Sequence, residues 1–180
     1  MTRLFQQEVS AASGKTAQLF HAIEGAMGKV PNAFAGIGSN SAVALEAALG
    51  LDGALRKSSL AGRELETIRL AVSEASGCDY CLAAHTLMAS KYGIDADASI
   101  ALRRGTPSGD ARLDALAAFA RTLVTSRGTA APETLALVKQ AGYSDAQIVD
   151  TLLAISAITF TNLFNRVNDT VVDFPSAPVL

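Results

Sequence analysis

Two thiols and an imidazole stand close together in the segment SGCDYCLAAH, where Cys78, Cys81 and His85 follow one another at i, i+3 and i+7. On an α-helix, at ~100° per residue, the three fall within an arc of roughly 60° on one face. They are both cysteines of the 180-residue chain and one of its two histidines. Helical residues at i and i+3 have Cα atoms about 5–6 Å apart, within the span of a disulfide, so reversible oxidation is geometrically permitted. A cysteine in the first turn of a helix also meets unpaired backbone N–H groups and the positive end of the macrodipole, which favour thiolate over thiol. With His85 one turn further on as a proton partner, Cys81 is the better nucleophile and Cys78 the resolving thiol, although the spacing alone permits the reverse. A thiolate that attacks a peroxide becomes a sulfenic acid, and a neighbouring thiol condenses with it to a disulfide. An outside dithiol must then reopen that disulfide by exchange.

Other readings of the same residues compete. Two small thiols at helical spacing in an Ala-rich chain also suit a buried core. Zinc is the next rival, since Cys-x-x-Cys-x-x-x-His offers three ligands, but a structural site wants four and the chain has no second ligand pair. An open site would have to borrow His21 or a carboxylate. His21, alone on an amphipathic helix, reads instead as a surface or half-buried residue. Glu64, Glu66 and Glu74 lie upstream in RELETIRLAVSEASGC. In a continuous helix Glu66 would be about 18 Å along the axis and 120° around it from Cys78, out of reach, whereas Glu74 would sit one turn before it. Spacing therefore favours Glu74, and participation of Glu66 requires the chain to bend near Ser76 and Gly77.

The elements that must position these groups are helical. Apolar residues recur at helical spacing and alternating β-branched runs are nearly absent, so an all-α fold is expected. One helix covers TAQLFHAIEGAMG, and residues 28 to 40, opened by GKVPN, read as a loop. A second covers SAVALEAALGLDGALR, weakened by Gly50 and Gly53. A third runs from after KSSLAG to about Ser76, and Gly77 weakens the chain just before Cys78. The segment from Asp79 to about Tyr92 places the thiols at a helix start, closed by YGID. Helices follow at DADASIALRRG, at DARLDALAAFARTLVTSRG and after the proline of APETLALVKQAG. The clearest is the last, IVDTLLAISAITFTNLFNRVN, opened by a capping box of Ser144 and Gln147 and ended before the proline-rich DFPSAPVL. On it Asn162, Asn165, Arg166 and Asp169 form a polar stripe, read as a solvated face in slight preference to a subunit contact. So apolar a helix, in a chain of mean hydropathy +0.28, has more than one face to bury, and oligomerisation would supply the burial.

With 15 Lys+Arg against 17 Asp+Glu and 49% apolar residues, the chain is sized for one domain covering residues 1–180, and nothing in it offers a groove for nucleic acid. The N-terminus lacks the h-region of a signal peptide and the apolar run TLLAISAITF is shorter than a membrane span, so no membrane partner and a cytoplasmic location are expected.

The stretch ELETIRLAVSEASGCDYCLAAH resembles the core motif of the carboxymuconolactone decarboxylase and alkylhydroperoxidase D-like superfamily, in its peroxidase-related branch: a glutamate twelve residues before a Cys-x-x-Cys-x-x-x-His helix. The resemblance covers residues 40 to 125 and fades beyond 130, while GKVPNAF is similar to a segment upstream of that motif. It implies a helical bundle assembled as a homotrimer or homohexamer. It also implies a proton relay of Glu66, Cys78, Cys81 and His85, with Cys81 attacking the peroxide, and this displaces Glu74. The partners it implies are a hydroperoxide and an external dithiol reductant of lipoyl type, with no bound cofactor or metal. Tyr80 stands where a histidine is often present in the family. Two alternatives remain: lactone decarboxylation or isomerisation with Glu66 and His85 as acid and base, and a redox-sensing or metal-binding oligomer without catalysis.

Overall fold

A computed structural model describes residues 2–180, and every regular element among them is helical. After a short 3-10 turn at Val9–Ala11 come α1 (Gly14–Met27), α2 (Asn32–Asn40), α3 (Ala42–Leu55), α4 (Gly62–Ser76), α5 (Asp79–Lys91), α6 (Ala96–Arg104), α7 (Ala111–Thr125), α8 (Pro132–Gln140) and α9 (Asp145–Asn168). The all-α expectation holds. Helix α4 is the hub, packed on α5, α6, α7 and α9. Its Ile68 and Val72 are fully buried with Leu116 of α7 and Ile158 of α9 in the main core, and burying each such side chain is worth about 1.5–3 kcal/mol. On the other side of α4, Leu70 and Ala71 join Ala89, Leu102 and Leu113.

Residues 28 to 40, expected as a loop, are irregular only as far as Pro31. Helix α2 follows directly. Gly36 and Gly38 lower its intrinsic propensity by about 1 kcal/mol each, which is why the segment reads as a loop. Packing overrides that preference, because both glycines are points of close approach. A Cβ on Gly38 would lie 2.5 Å from Phe20 Cε1 and 2.7 Å from Leu45 Cδ2, and one on Gly36 would lie 2.9 Å from Phe164 Cζ. Helix α3 runs unbroken through Gly50 and Gly53, where there is open space.

Helix α9 is longer than its apolar middle suggests. By length and composition it is apolar enough to cross a membrane, with a mean hydropathy of 1.4 over its most apolar stretch. Core helices of bundles pass the same test, and α9 packs along α2, α3, α4, α5 and α7. The polar stripe on it is not a solvated face. Asn162 and Asn165 are buried at 1% and 4% exposure and point into the bundle, as does Asn168, while Arg166 and Asp169 remain outside. The outward face instead carries Val149, Leu152, Phe160, Leu163 and Val167, spaced by three, four and eight residues.

Candidate active site

The site is built on the turn between α4 and α5. Gly77 takes the left-handed conformation (φ 61°, ψ 44°) that a side chain disfavours, and the Cys78 N–H donates to Ser73 O while the Gly77 N–H donates to Glu74 O, both at 3.0 Å. These two bonds make a Schellman motif, which stops α4 and reverses the chain. Cys78 is then the N-cap of α5, and Cys81 lies in its first turn. The bend required for Glu66 to take part is present. Its carboxylate, 1% exposed, accepts from Arg69 at 2.6 Å through Oε1 and meets His85 Nδ1 at 2.8 Å through Oε2. Arg69 also donates to Asp52 Oδ1 at 2.6 Å.

Glu74, favoured by spacing, is elsewhere. The turn takes it away from the thiols, and its Oε2 accepts from Arg103 Nε at 2.8 Å, tying α4 to α6. His21 is exposed and distant in sequence from every element of the turn. Among the described residues no group of three His, Cys, Asp or Glu side chains gathers as ligands.

Glu66 is charged despite its burial. Desolvation opposes the carboxylate, but the His85 ring and then the Arg69 guanidinium outweigh it, and its pKa is held below the ordinary 4.5. An ionised carboxylate only accepts, so a proton sits on His85 Nδ1 and Nε2 is the ring nitrogen that points away from Glu66. The His85 side chain is 19% exposed, so its ring lies near the surface. The same network holds Arg69 firmly charged: burial opposes it, and Glu66 and Asp52 overcome that.

Both thiols are buried, at 1% and 3% exposure, and reduced. They titrate as a pair. The Cys81 thiol donates toward the Cys78 sulfur and so lowers the pKa of Cys78 against the cost of burial, with a smaller contribution from the Cys81 backbone N–H, which closes no capping hydrogen bond. Cys81 is raised, first by that same pairing and then by burial. One proton therefore leaves readily and the second with difficulty, because two negative charges would share one buried site. Cys78 is thus the more readily ionised of the two, while at Cys81 Asn165 Nδ2 donates to the sulfur at 3.4 Å and the Thr161 hydroxyl oxygen lies 4.0 Å away as an acceptor. Among the described residues no hydrogen bond joins the His85 ring to either sulfur.

Tyr80, between the cysteines, serves a different purpose. Its hydroxyl donates to Asp173 Oδ1 at 2.7 Å and accepts from the Ala33 N–H at 3.1 Å, and its ring meets Phe174 edge-on at 5.6 Å. Lys29 closes the cluster by donating to Asp173 Oδ2 at 2.8 Å. Tyr80 thus clamps the C-terminal segment over the start of α5 and stands apart from the Glu66–His85 chain. Sequence reasoning misses Arg69, Asp52 and Asp173. Asp173 lies 93 residues from Tyr80, and no local pattern marks it. Arg69 does carry a signal, as the i+3 neighbour of Glu66.

A turn with this geometry on an all-helical bundle is accompanied by a sequence match: residues 43–122 fit the profile of the carboxymuconolactone decarboxylase family. That segment, somewhat less than half of the chain, is similar to the carboxymuconolactone decarboxylase family. A search among curated protein sequences finds no match. Among solved structures the chain is similar to an alkylhydroperoxidase D core, peroxidase-related protein from Ralstonia eutropha JMP134, at 19% identity over 96% of this chain and 92% of that one, with a TM-score of 0.83. It is similar to a peroxidase-related protein from Silicibacter sp. TM1040 at 22% identity, covering 95% and 94%, with a TM-score of 0.78. The debrominase Bmp8, solved with 2,3,4-tribromopyrrole, shares the fold at 20% identity, covering 96% and 92%, with a TM-score of 0.80. At these identities the likeness is one of fold.

Proposed function

We propose that the protein is a thiol peroxidase of the cytoplasm, reducing a hydroperoxide at Cys81 and regenerating through a Cys78–Cys81 disulfide. The observation that carries the reading is the juxtaposition of a buried thiol pair that readily loses one proton with the Glu66–His85 carboxylate–imidazole pair one turn along α5. The Cys81 thiolate attacks the terminal oxygen, the O–O bond breaks, and sulfur supplies the electron pair. His85, charged by the thiol proton, returns that proton to the departing alkoxide. Condensation of Cys78 with the sulfenic acid releases water, and an external dithiol, of lipoyl type, reopens the disulfide. Glu66 fixes the tautomer of His85 and stabilises its charged form. Attack by Cys78 is the second reading, favoured by its lowered pKa; the Asn165 donor at the Cys81 sulfur favours the first.

The test is tert-butyl hydroperoxide consumption by the purified protein with dihydrolipoamide as reductant. Turnover that needs both supports the reading. Bromide release from 2,3,4-tribromopyrrole without peroxide consumption would transfer the thiol pair to dehalogenation. Turnover of a carboxymuconolactone that survives loss of both cysteines would assign Glu66 and His85 to acid–base catalysis instead.

The outward face of α9 belongs to the same proposal. Val149, Leu163 and Val167 are each 60% or more exposed along one side of a 24-residue helix, an arrangement that suits packing against copies of the same chain as a homotrimer or homohexamer. Leu163→Lys is expected to lower the mass found by analytical ultracentrifugation toward that of one chain while leaving the helical circular dichroism intact; an unchanged mass would remove α9 from the interface.

A further inference from the structure

Three asparagines of α9 face inward at i, i+3 and i+6, and they differ in how fully they are used. The Asn162 amide is paired with Ser73 Oγ at 3.3 Å, and Asn168 accepts from the Leu4 N–H through Oδ1 and donates to Thr170 Oγ1 through Nδ2. Asn165 uses only one end. Its Nδ2 donates to Cys81 Sγ at 3.4 Å, while its Oδ1, inside a residue 4% exposed, has no hydrogen-bond partner. A buried unpaired amide oxygen opposes folding, and a side chain such as Leu would fill the space without that cost. An acceptor kept vacant beside a reactive sulfur points to a ligand that brings its own donor.

We infer that Asn165 is the substrate-orienting residue of the site, its Oδ1 accepting the terminal O–H of the hydroperoxide while its Nδ2 holds the Cys81 sulfur. The inference rests on the peroxidase reading above. The oxygen that carries the donated hydrogen is the one the sulfur attacks, so a single rigid carboxamide aligns both reacting atoms at near-attack distance. In the reaction the S–O bond forms as the O–O bond breaks, the alkoxide leaves with the proton from His85, and the hydroxyl transferred to sulfur keeps its hydrogen bond to Oδ1. The same acceptor thus holds the sulfenic acid until Cys78 condenses with it. Of the polar side chains near Cys81, Asn162 is occupied by Ser73 and the Thr161 hydroxyl donates to Ile158 O and faces the Cys81 sulfur, so Asn165 Oδ1 is the acceptor left without any partner among the described residues.

The experiment compares two reagents at the same sulfur, in a Cys78→Ser background that isolates Cys81. tert-Butyl hydroperoxide has an O–H to donate; methyl methanethiosulfonate has none. Asn165→Leu is expected to slow sulfenic acid formation by about 10- to 100-fold more than it slows thiosulfonate labelling. Asn165→Asp retains the acceptor, so both rates fall but their ratio stays within about threefold of the parent. Equal loss of both rates in Asn165→Leu would reduce Asn165 to a residue that only tunes the thiol, and overturn the inference; so would a ratio that is unchanged. If Asn165→Leu fails to fold by circular dichroism, Asn165→Ala carries the same expectation. A Cys78→Ser parent that is labelled by the thiosulfonate but never oxidised by the peroxide marks failure of the peroxidase reading itself, a result distinct from either outcome at Asn165.

Discussion

Replacing Cys81 with serine is expected to lower peroxide turnover by at least about 10³-fold, to the level of the uncatalysed reaction. A serine hydroxyl at neutral pH supplies no useful fraction of its anion, and an oxygen cannot take up the peroxide's terminal hydroxyl as a stable sulfenic acid does. The fold tolerates the change at a cost of about 1 kcal/mol, because the hydroxyl inherits the Asn165 donor and fills nearly the same volume. Cys78→Ser behaves differently. It retains the first step and stalls after one equivalent of peroxide, with Cys81 trapped as sulfenic acid and open to further oxidation. Mass spectrometry after dimedone treatment reads the distinction directly: an adduct on Cys81 in Cys78→Ser supports the assigned order, and an adduct on Cys78 in Cys81→Ser, with turnover intact in neither, reverses it. That Cys78 is the more readily ionised of the two thiols makes this test necessary. Within a hydrogen-bonded pair the proton has only to cross from one sulfur to the other, so the resting location of charge does not by itself name the attacking atom.

The second large effect is expected at Glu66. Glu66→Gln keeps the shape but places an N–H where His85 Nδ1 and Arg69 both present donors. One way to relieve the conflict is for His85 to move its proton to Nε2, which removes the basic lone pair, and turnover falls by about 10²–10⁴-fold. Arg69 keeps Asp52 as a partner, so the isosteric variant stays folded, whereas Glu66→Ala opens a cavity beside a buried guanidinium and costs about 3 kcal/mol or more. The pH dependence has a definite sign. The folded pKa of Glu66 lies below the ordinary 4.5, so the stability it contributes is fully present above that pH and is lost as pH falls through the lower folded value. Denaturation at graded pH is therefore expected to show the wild type and Glu66→Gln converging below about pH 4.5 and separated by a constant margin above it. A difference that persisted undiminished well into the acid range would mean that Glu66 is neutral in the folded protein and that its contacts are those of a carboxylic acid.

Much of this site is legible in the amino-acid sequence and the rest is not, for reasons that differ residue by residue. The helix start at Asp79, the break at Gly77 and the common helix carrying Cys81 and His85 follow from local rules of propensity and spacing, which act over one or two turns. So do the capping box of α9 and the proline that opens α8. The choice between Glu66 and Glu74 is not local. It depends on the direction in which α5 leaves the Schellman turn, and the family resemblance, not the spacing, points to Glu66. The polar stripe of α9 misleads because a helix with polar and apolar faces does not say which one meets the core. Here the asparagines turn inward because Ser73 and Cys81 of α4 and α5 pair with them, and the apolar residues face out.

The sequence by itself determined the all-helical class, the placement of two thiols at a helix N-terminus with an imidazole one turn beyond, and the glycine on which the chain reverses. These depend on backbone preferences and on side-chain spacing along a single element. Only the tertiary structure decided that Glu66 meets His85, that Arg69 and Asp52 brace it, that Tyr80 clamps the tail through Asp173, and that Asn165 reaches Cys81 with one end of its amide free. Each of those contacts joins residues on different elements, or depends on which face of a helix is buried, and that is settled by how the whole set of helices packs.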